Sequence, residues 1–329
     1  MIENKPIISA VGKYLPEKIL TNNDLEKLVD TSDEWIKSRT GIERRHIVSE
    51  GQASVDMSVK AINNLKRNFN LDCNEIDLII VATTTPDRII PSTASQIQKA
   101  ISATNAAALD ISVACSGFVY GMSISSAFIE SNKYKKILLV GVDTMSSILN
   151  FNDRNTCVLF GDGAGVVLIE PGSENGIIDN ILKSDGNGGE NLYIDGGGSL
   201  NPATHNTIND GLHFVRQDGK SVFKKAVNCM VDICSEIMSR NDLNISDIDM
   251  LIPHQANKRI IDLVGKQLNI DKEKVFINID KYANTTAATI PICIDEIYSQ
   301  NLLRKGDDVI ITAFGAGYSW GSTYLKWSL

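Results

Sequence analysis

Short runs of apolar residues without regular alternation recur along the chain, for example at 78–81 and 137–140. A strand with one face in water alternates apolar and polar side chains, whereas a continuous apolar run is typical of a strand covered on both faces. Helical stretches such as 92–102 and 221–240 separate these runs. The pattern predicts an α/β fold in which helices cover both faces of the sheets.

The same pattern occurs twice. Segments 70–87 and 241–257 each contain a leucine, a polar turn, Ile-Asp and a short apolar strand. Three more pairs follow in the same order, namely 106–115 with 274–284, 133–143 with 304–314, and 161–170 with 315–327. This order indicates an internal duplication of two α/β halves. A Pro/Gly-rich link at 170–176 marks a turn between them, so we predict halves at 1–171 and 172–329.

Composition and charge exclude several classes of protein. The 329 residues are 43% hydrophobic and 22% charged, as in soluble globular proteins, and the net charge of -8 gives no support for nucleic-acid binding. No apolar stretch reaches the roughly 18 residues that span a membrane, and the N-terminus does not resemble a signal peptide. The six cysteines have neither CxxC nor zinc-site spacing. We therefore predict a cytoplasmic protein with reduced thiols and no metal.

Three chemically capable side chains fall at the ends of predicted inner strands: Cys115 in "ISVACSGFVYGM", His254 after "MLIP", and Asn284 in "YANTTAA". A cysteine at a helix N-terminus faces unpaired N–H groups, which favour the thiolate. The histidine would add activation, and the asparagine would donate to a carbonyl. Each has a structural alternative, as a core cysteine, a structural histidine or an N-cap. The coincidence of all three at strand ends favours a catalytic site.

Six motifs carry a resemblance to a known family. In chain order they are "VDTSDEWIKSRTGIERRH", "ACSGF", "FGDGAG", "PHQAN", "ANTTAA" and "FGAGYSWGS". As a set, spread over essentially the whole chain, they resemble the β-ketoacyl-[acyl carrier protein] synthase III family. The resemblance implies a thiolase-like fold, with the duplicated halves in five αβαβα layers, and a homodimer. It also implies that Cys115, His254 and Asn284 form a catalytic triad.

The implied activity is an acyltransferase reaction that needs no cofactor and initiates fatty acid synthesis. Cys115 would take the acyl group of an acyl-CoA and pass it to the enolate formed by decarboxylation of malonyl-acyl carrier protein. The backbone N–H groups of Cys115 and Ala316 would form the oxyanion hole, while His254 and Asn284 would bind the malonyl thioester carbonyl. A specialised homologue that condenses or transfers acyl groups in secondary metabolism needs the same triad, so that alternative stays open. An inactive binding module is disfavoured because the triad is intact.

The resemblance also implies roles for residues around the triad. Trp35 and Arg154 would sandwich the adenine of CoA, since both groups are planar. Further expected CoA contacts are Thr31, Arg39 and Asn257. The expected carrier-protein contacts are Gln255, Lys258, Arg259 and Lys224, and the expected acyl-pocket residues are Ile90, Phe160 and Phe314.

One local pattern predicts a helix start, and three positions differ from the usual residues of the family. Thr31 and Glu34 match a capping box, which predicts that a helix begins near Trp35. Ala316 stands where a glycine is frequent, and "YAN" replaces the common "HGN". Ile90 stands where an aromatic residue often closes the acyl tunnel from the partner subunit, so we expect a longer or differently shaped primer.

Overall fold

The computed structural model describes residues 4–329 of the chain. The strands are β1 (Lys5–Tyr14), β2 (Lys18–Thr21), β3 (Arg44–Ile47), β4 (Leu78–Ala82), β5 (Ala107–Ile111), β6 (Ile137–Asp143), β7 (Gly163–Gly172), β8 (Gly176–Ser184), β9 (Leu192–Tyr193), β10 (Arg216–Gln217), β11 (Met250–Pro253), β12 (Asp308–Gly315) and β13 (Ser319–Lys326). The α-helices are α1 (Asn22–Leu25), α2 (Asp33–Thr40), α3 (Ser54–Phe69), α4 (Thr93–Ala100), α5 (Gly117–Glu130), α6 (Arg154–Cys157), α7 (His205–Asn209), α8 (Gly219–Arg240), α9 (Lys258–Gln267), α10 (Ile279–Tyr282) and α11 (Thr289–Ser299). None of the helices in this range is both long and apolar enough to cross a membrane.

Two main sheets carry the internal duplication. The first has the order β1-β7-β6-β4-β5 and the second the order β8-β13-β12-β11. Strand directions correspond, because β6 with β4 and β12 with β11 are parallel, whereas the pairs on the other side are antiparallel. A single parallel bridge between Leu251 and Val275 replaces the fifth strand of the second sheet. The chain passes from one sheet to the other between Gly172 and Gly176.

Helices cover both faces of each sheet, as the apolar runs predict. Helices α3 and α4 pack on the outer face of the first sheet, α5 and α11 lie between the sheets, and α8 and α9 cover the second sheet. The side chains of strand β4 face both helical layers. Ile79 and Val81 pack with Ile62 of α3, whereas Ile80 packs with Phe118 of α5. Each such side chain contributes roughly 1.5–3 kcal/mol when fully buried. The five αβαβα layers are therefore present.

Helix α5 is apolar around most of its circumference because it lies between the two sheets. A surface helix has a single apolar stripe, whereas a helix buried on all sides does not. Gly121 allows close packing, since a Cβ at this position would lie 2.4 Å from a methyl carbon of Leu139. The first turn of α5 is thus held deep in the molecule, next to Cys115.

The end of strand β6 supports the turn that follows Asn284. A Cβ on Gly141 would lie 2.3 Å from the carbonyl oxygen of Ala287, so this turn rests directly on the strand backbone. The contact joins a strand of the first half of the chain to a turn of the second half.

We expect Gly141→Ala to lower the free energy of unfolding by about 1–3 kcal/mol, the usual cost of overpacking a core, because a backbone oxygen cannot move aside like a side chain. Urea unfolding measures the effect. Gly198→Ala is the matched control, since a Cβ there would meet nothing within 4 Å. Equal unfolding midpoints for the two variants would contradict the packing argument.

Candidate active site

A cavity of about 540 Å³ is lined by Cys115, His254 and Asn284. Cys115 follows β5 and His254 follows β11, as predicted. Asn284 follows helix α10 instead, because the strand predicted to precede it is reduced to the bridge at Val275. Helices α2, α6, α8 and α9 contribute the walls of its outer part. Among residues 4–329, no group of three or more His, Cys, Asp or Glu side chains is arranged to hold a metal ion.

Cys115 lies in a short 3-10 turn, Ala114–Ser116, directly before α5. Ala114 has a φ of 44°, in the left-handed region that few alanines occupy, and the hydroxyl of Ser116 donates to the carbonyl of Ser319 at 2.8 Å. Gly315 packs against the same turn, since a Cβ there would lie 2.9 Å from the Cys115 nitrogen. These contacts fix a tight bend that presents the thiol to the cavity.

The surroundings of Cys115 favour the thiol over the thiolate. Burial raises the pKa of the Cys115 thiol to about 12, and the charge of Asp143 adds to this shift. Cys115 directly precedes α5, as predicted, but burial shifts its pKa upward, opposite to the shift that a helix N-terminus favours. The sulfur therefore needs a base at the moment of reaction.

His254 supplies a neutral imidazole with one free nitrogen. It follows β11, and its backbone N–H donates to the Thr312 carbonyl at 2.8 Å. Its Nδ1 lies 2.7 Å from the hydroxyl oxygen of Thr289, whereas its Nε2 has no hydrogen-bond partner within residues 4–329. Burial lowers the pKa of His254 to about 3. A neutral ring with an unpartnered Nε2 suits proton exchange with a thiol.

Asn284 combines the structural and the functional possibilities. Its backbone N–H donates to the Leu159 carbonyl at 3.0 Å, and its own carbonyl accepts from Gly161 at 3.1 Å. The side-chain Oδ1 accepts from the Thr286 N–H at 2.9 Å, and this bond assigns the orientation of the amide. Nδ2 therefore remains the donor that Asn284 can offer to a bound carbonyl.

A buried carboxylate that sequence analysis missed holds the Asn284 turn in place. Asp143, at the end of β6, is fully buried, and its Oδ1 accepts from the Thr84 N–H and from three threonine hydroxyls. Its Oδ2 accepts from the Thr286 hydroxyl and the Ala287 N–H. Burial raises the pKa of Asp143, and these donors oppose the shift. A charge that ends the apolar run "ILLVGVD" was the available signal.

Trp35 and Arg154 meet at the mouth of the cavity, but they stack on each other. The Arg154 guanidinium carbon lies 4.9 Å from the Trp35 ring centroid, and Arg154 donates to the Asp30 carbonyl at 2.8 Å. An adenine between them would need roughly 7 Å, or twice the spacing of contacting carbon atoms. The expected sandwich is therefore closed in this structure, and one side chain must move to admit a base.

The start of helix α2 corrects the predicted cap. Ser32, not Thr31, is the N-cap, and its hydroxyl accepts from the Trp35 N–H at 3.1 Å. Thr31 does not line the cavity, and its buried hydroxyl has no hydrogen-bond partner in the described part of the chain. The structure thus gives no direct support to Thr31 as a CoA contact.

The segment after His254 contains one residue with a structural role, Gln255, and one that lines the cavity, Asn257. Gln255 is 1% exposed, donates to the carbonyls of Pro253 and Phe276, and accepts from the Asn278 N–H. Its prediction as a carrier-protein contact is wrong, because its amide is buried and fully used inside the fold. Asn257 lines the cavity and also caps α9 by accepting from the Arg259 N–H at 2.9 Å.

Cationic side chains surround the cavity mouth. Arg39 and Arg154, the expected CoA contacts, line it, and so do Arg259, expected as a carrier-protein contact, and Lys220. Lys220 was not among the predicted residues, although a lysine in the first turn of a helix is unfavourable with the helix dipole and is therefore a usable signal. Lys224 is exposed nearby on α8, whereas Lys258 is paired with Asp262 at 2.7 Å. The mouth is therefore locally positive on a chain of net negative charge.

Comparisons with known proteins agree with this geometry. Two family models match, 3-Oxoacyl-[acyl-carrier-protein (ACP)] synthase III over residues 109–186 and its C-terminal counterpart over residues 238–327. β-Ketoacyl-[acyl-carrier-protein] synthase III of Caldanaerobacter subterraneus is 50% identical over 98% of this chain and 97% of its own length. The Chlorobaculum tepidum protein of the same name is 49% identical over 98% and 99%.

This chain belongs to the β-ketoacyl-[acyl-carrier-protein] synthase III family. The crystal structure of 3-oxoacyl-[acyl-carrier-protein] synthase III from Aquifex aeolicus superposes with a TM-score of 0.90 at 41% identity, and the match covers 98% of this chain and 100% of that one. The resemblance in the motifs and the thiolase-like fold are both confirmed.

Two of the three expected acyl-pocket residues of this synthase III homologue line the cavity, namely Phe160 and Phe314. Ile90 does not, because it is 84% exposed on the surface of its own chain, beside Ile89 at 85%. Ala316 is also not a lining residue, although its neighbour Gly315 is. Of the three expected residues, Phe160 and Phe314 are therefore the two that lie at the cavity of a single chain.

We expect the alkylation of Cys115 in this synthase III homologue by iodoacetamide to accelerate about tenfold per pH unit from about pH 7 to about pH 10. The thiolate fraction of a group whose pKa is about 12 keeps rising through that range. Mass spectrometry of the Cys115 peptide gives the rate. Free cysteine is the control, because its rate levels off above its ordinary pKa of about 8.5. A plateau for Cys115 near neutral pH would contradict the raised pKa.

Proposed function

We propose that this synthase III homologue condenses an acyl-CoA primer with malonyl-acyl carrier protein through an acyl-Cys115 intermediate, and so initiates fatty acid synthesis. The observation that carries the proposal is the meeting of three groups in one cavity. These groups are a thiol, a neutral imidazole with a free Nε2, and a carboxamide with a free Nδ2. The positive, aromatic mouth suits a ligand that combines phosphates with a base.

The first step transfers the acyl group to sulfur. As the Cys115 sulfur attacks the thioester carbonyl, its proton passes to Nε2 of His254. The oxyanion accepts hydrogen bonds from the N–H groups of Cys115 and Ala316. The carbon–sulfur bond to CoA then breaks, and the CoA thiolate takes the proton from His254. One thioester replaces another, and the ring ends neutral.

The second step forms the new carbon–carbon bond. The malonyl thioester carbonyl accepts hydrogen bonds from Asn284 Nδ2 and His254 Nε2–H as carbon dioxide leaves, so the electron pair of the broken bond is stabilised as an enolate. The enolate carbon attacks the acyl carbonyl, the bond to the Cys115 sulfur breaks, and the released thiolate takes up a solvent proton. The chain is longer by two carbons, and the step uses no cofactor.

The mouth of the cavity supports binding of both carriers. Arg39, Arg154 and Lys220 would contact the phosphates of CoA, and Trp35 would stack on the adenine once Arg154 leaves its ring. The phosphopantetheine arm would pass Asn257 toward Cys115. Lys224 and Arg259 would attract an acidic carrier protein, with Lys258 contributing less because it is paired with Asp262.

We further propose a cytoplasmic homodimer. The six cysteines are free thiols, which fits a reducing compartment. The adjacent Ile89 and Ile90 side chains are almost fully exposed, and large exposed apolar side chains next to one another favour a protein contact. A second copy of the chain would cover them and bring Ile90 to the acyl pocket of its partner.

Cys115→Ser should abolish acyl-enzyme formation, because a serine hydroxyl is far less acidic than a thiol and is not activated here. Intact-mass spectrometry after incubation with acyl-CoA detects the adduct. Cys73→Ser is the matched control, since Cys73 is buried in the outer layer formed by α3 and α4 and should leave labelling unchanged. Persistent labelling of the Cys115→Ser protein would assign the nucleophile elsewhere.

Ile90→Phe should shorten the longest primer that the dimer accepts, because a larger ring would close the end of the acyl pocket. A panel of acyl-CoA chain lengths, with malonyl-acyl carrier protein added afterwards, measures the profile. Ile89→Phe is the control at the neighbouring, equally exposed position. An unchanged profile for Ile90→Phe would remove Ile90 from the pocket. The same panel separates an enzyme that starts fatty acid synthesis from a specialised homologue with an unusual primer.

A further inference from the structure

The Thr289 side chain has a specific relation to the imidazole of His254. Thr289 is the first residue of α11 and is 2% exposed, as is His254. Its hydroxyl oxygen lies 2.7 Å from His254 Nδ1 and 3.1 Å from the carbonyl oxygen of Thr286. Thr289 is not a lining residue of the cavity, so it acts on the reaction only through the histidine.

The hydroxyl can bond to His254 in two ways, because it has one proton and two lone pairs. In one arrangement it donates to the Thr286 carbonyl and accepts from Nδ1–H, which leaves a lone pair on Nε2. In the other it donates to Nδ1, and the ring proton lies on Nε2. The Thr286 carbonyl also accepts the Thr289 backbone N–H, so it keeps a partner in both arrangements.

The first arrangement is the resting one, since it satisfies Nδ1–H and the hydroxyl proton at once. It presents the Nε2 lone pair to a site whose cysteine is a thiol that needs a base. The second arrangement presents Nε2–H, which is what a thioester carbonyl or enolate requires. A carboxylate or a carbonyl in place of the hydroxyl would hold the proton on Nδ1 permanently.

Asp143, the nearby buried carboxylate, does not take this role. Its two oxygens accept from Thr83, Thr84, Thr85, Thr286 and Ala287, and none of its hydrogen bonds reaches the His254 ring. The Thr289 hydroxyl is therefore the group that determines where the ring proton lies.

We propose that Thr289 is a positioning residue whose hydroxyl holds the proton of His254 on Nδ1 for acyl transfer and allows it to move to Nε2 for condensation. The exchange leaves the ring neutral, because one proton joins Nε2 from the cavity and the Nδ1 proton is given up in return. Since Nδ1 faces the buried Thr289 hydroxyl and not the cavity, the imidazole must turn away from Thr289 for this release. This role rests on the proposed function, but its spectroscopic part does not require substrate.

The first test is the tautomer of His254 in the free enzyme, read from imidazole nitrogen shifts by 15N NMR. The chain has four histidines, and the His254→Asn variant assigns the signals of His254. We expect the wild type and Thr289→Ser to show Nδ1–H, since both keep the hydroxyl. Thr289→Val keeps the shape but loses the acceptor, so its ring should shift toward Nε2–H. An unchanged tautomer in Thr289→Val would overturn the proposal.

The second test compares rates. Thr289→Val should slow acyl-enzyme formation roughly 10- to 100-fold, the range for groups that orient an imidazole, and Thr289→Ser should restore most of the rate. Thr93→Val is the matched control, because the Thr93 hydroxyl is also buried but has no partner in the described residues. A Thr289→Val protein that acylates at the wild-type rate would contradict the proposal, whereas loss of the proposed function itself would appear as a wild-type enzyme that forms no adduct.

Discussion

The buried carboxylate of Asp143 is the constraint on which the cavity depends. It ends a strand of the first half and accepts hydrogen bonds from the turn of the second half that carries Asn284. Bonds to a charged group contribute about 1.5–3 kcal/mol each, and an unpaired buried charge costs more than any one of them. The donors on both sides must therefore stay in place together, which fixes Asn284 relative to Cys115 across the junction of the two halves.

The same charge also acts on the Cys115 thiol, although burial has the larger effect on its pKa. Because burial, with a smaller contribution from Asp143, keeps Cys115 protonated, while burial keeps His254 neutral, the resting site contains no separated charges besides the carboxylate. The proton lies on sulfur until an electrophile arrives. A site of this kind protects its cysteine from alkylation and oxidation between turnovers, since the thiolate is the reactive species. The requirement for a base explains why the orientation of the imidazole matters.

The fold and the meeting of the three candidate side chains in one cavity could be predicted from sequence, because their signals are local or repeated. Apolar runs such as 78–81 indicate strands covered on both faces, and the duplication places Cys115 and His254 at strand ends. The burial of a side chain and its hydrogen bonds to residues far away in the chain leave no local or repeated pattern in the sequence. Asp143 and Thr286 are 143 residues apart, and the exposure of Ile90 and the burial of Gln255 depend on which elements pack around them. The choice of Ser32 over Thr31 as a cap is a one-residue difference between two competent residues, which the pattern cannot resolve.

The duplication also shows how the two halves differ at the position of Cys115. The turns that precede α5 and α11 correspond, since each begins with a left-handed residue, Ala114 at a φ of 44° and Thr286 at 50°. The structural equivalent of Cys115 is therefore Ala287, three residues beyond the Asn284 that the sequence repeat paired with it.

The strand ends that face these turns also correspond, because β6 ends at Asp143 and β12 ends at Gly315. In one half the Asp143 carboxylate binds the Ala287 N–H. In the other half Gly315 has no side chain to place against the Cys115 N–H, where a Cβ would lie only 2.9 Å from the nitrogen. At the same position, one half thus carries a carboxylate that holds two elements together, and the other leaves room for the oxyanion that the proposed mechanism forms.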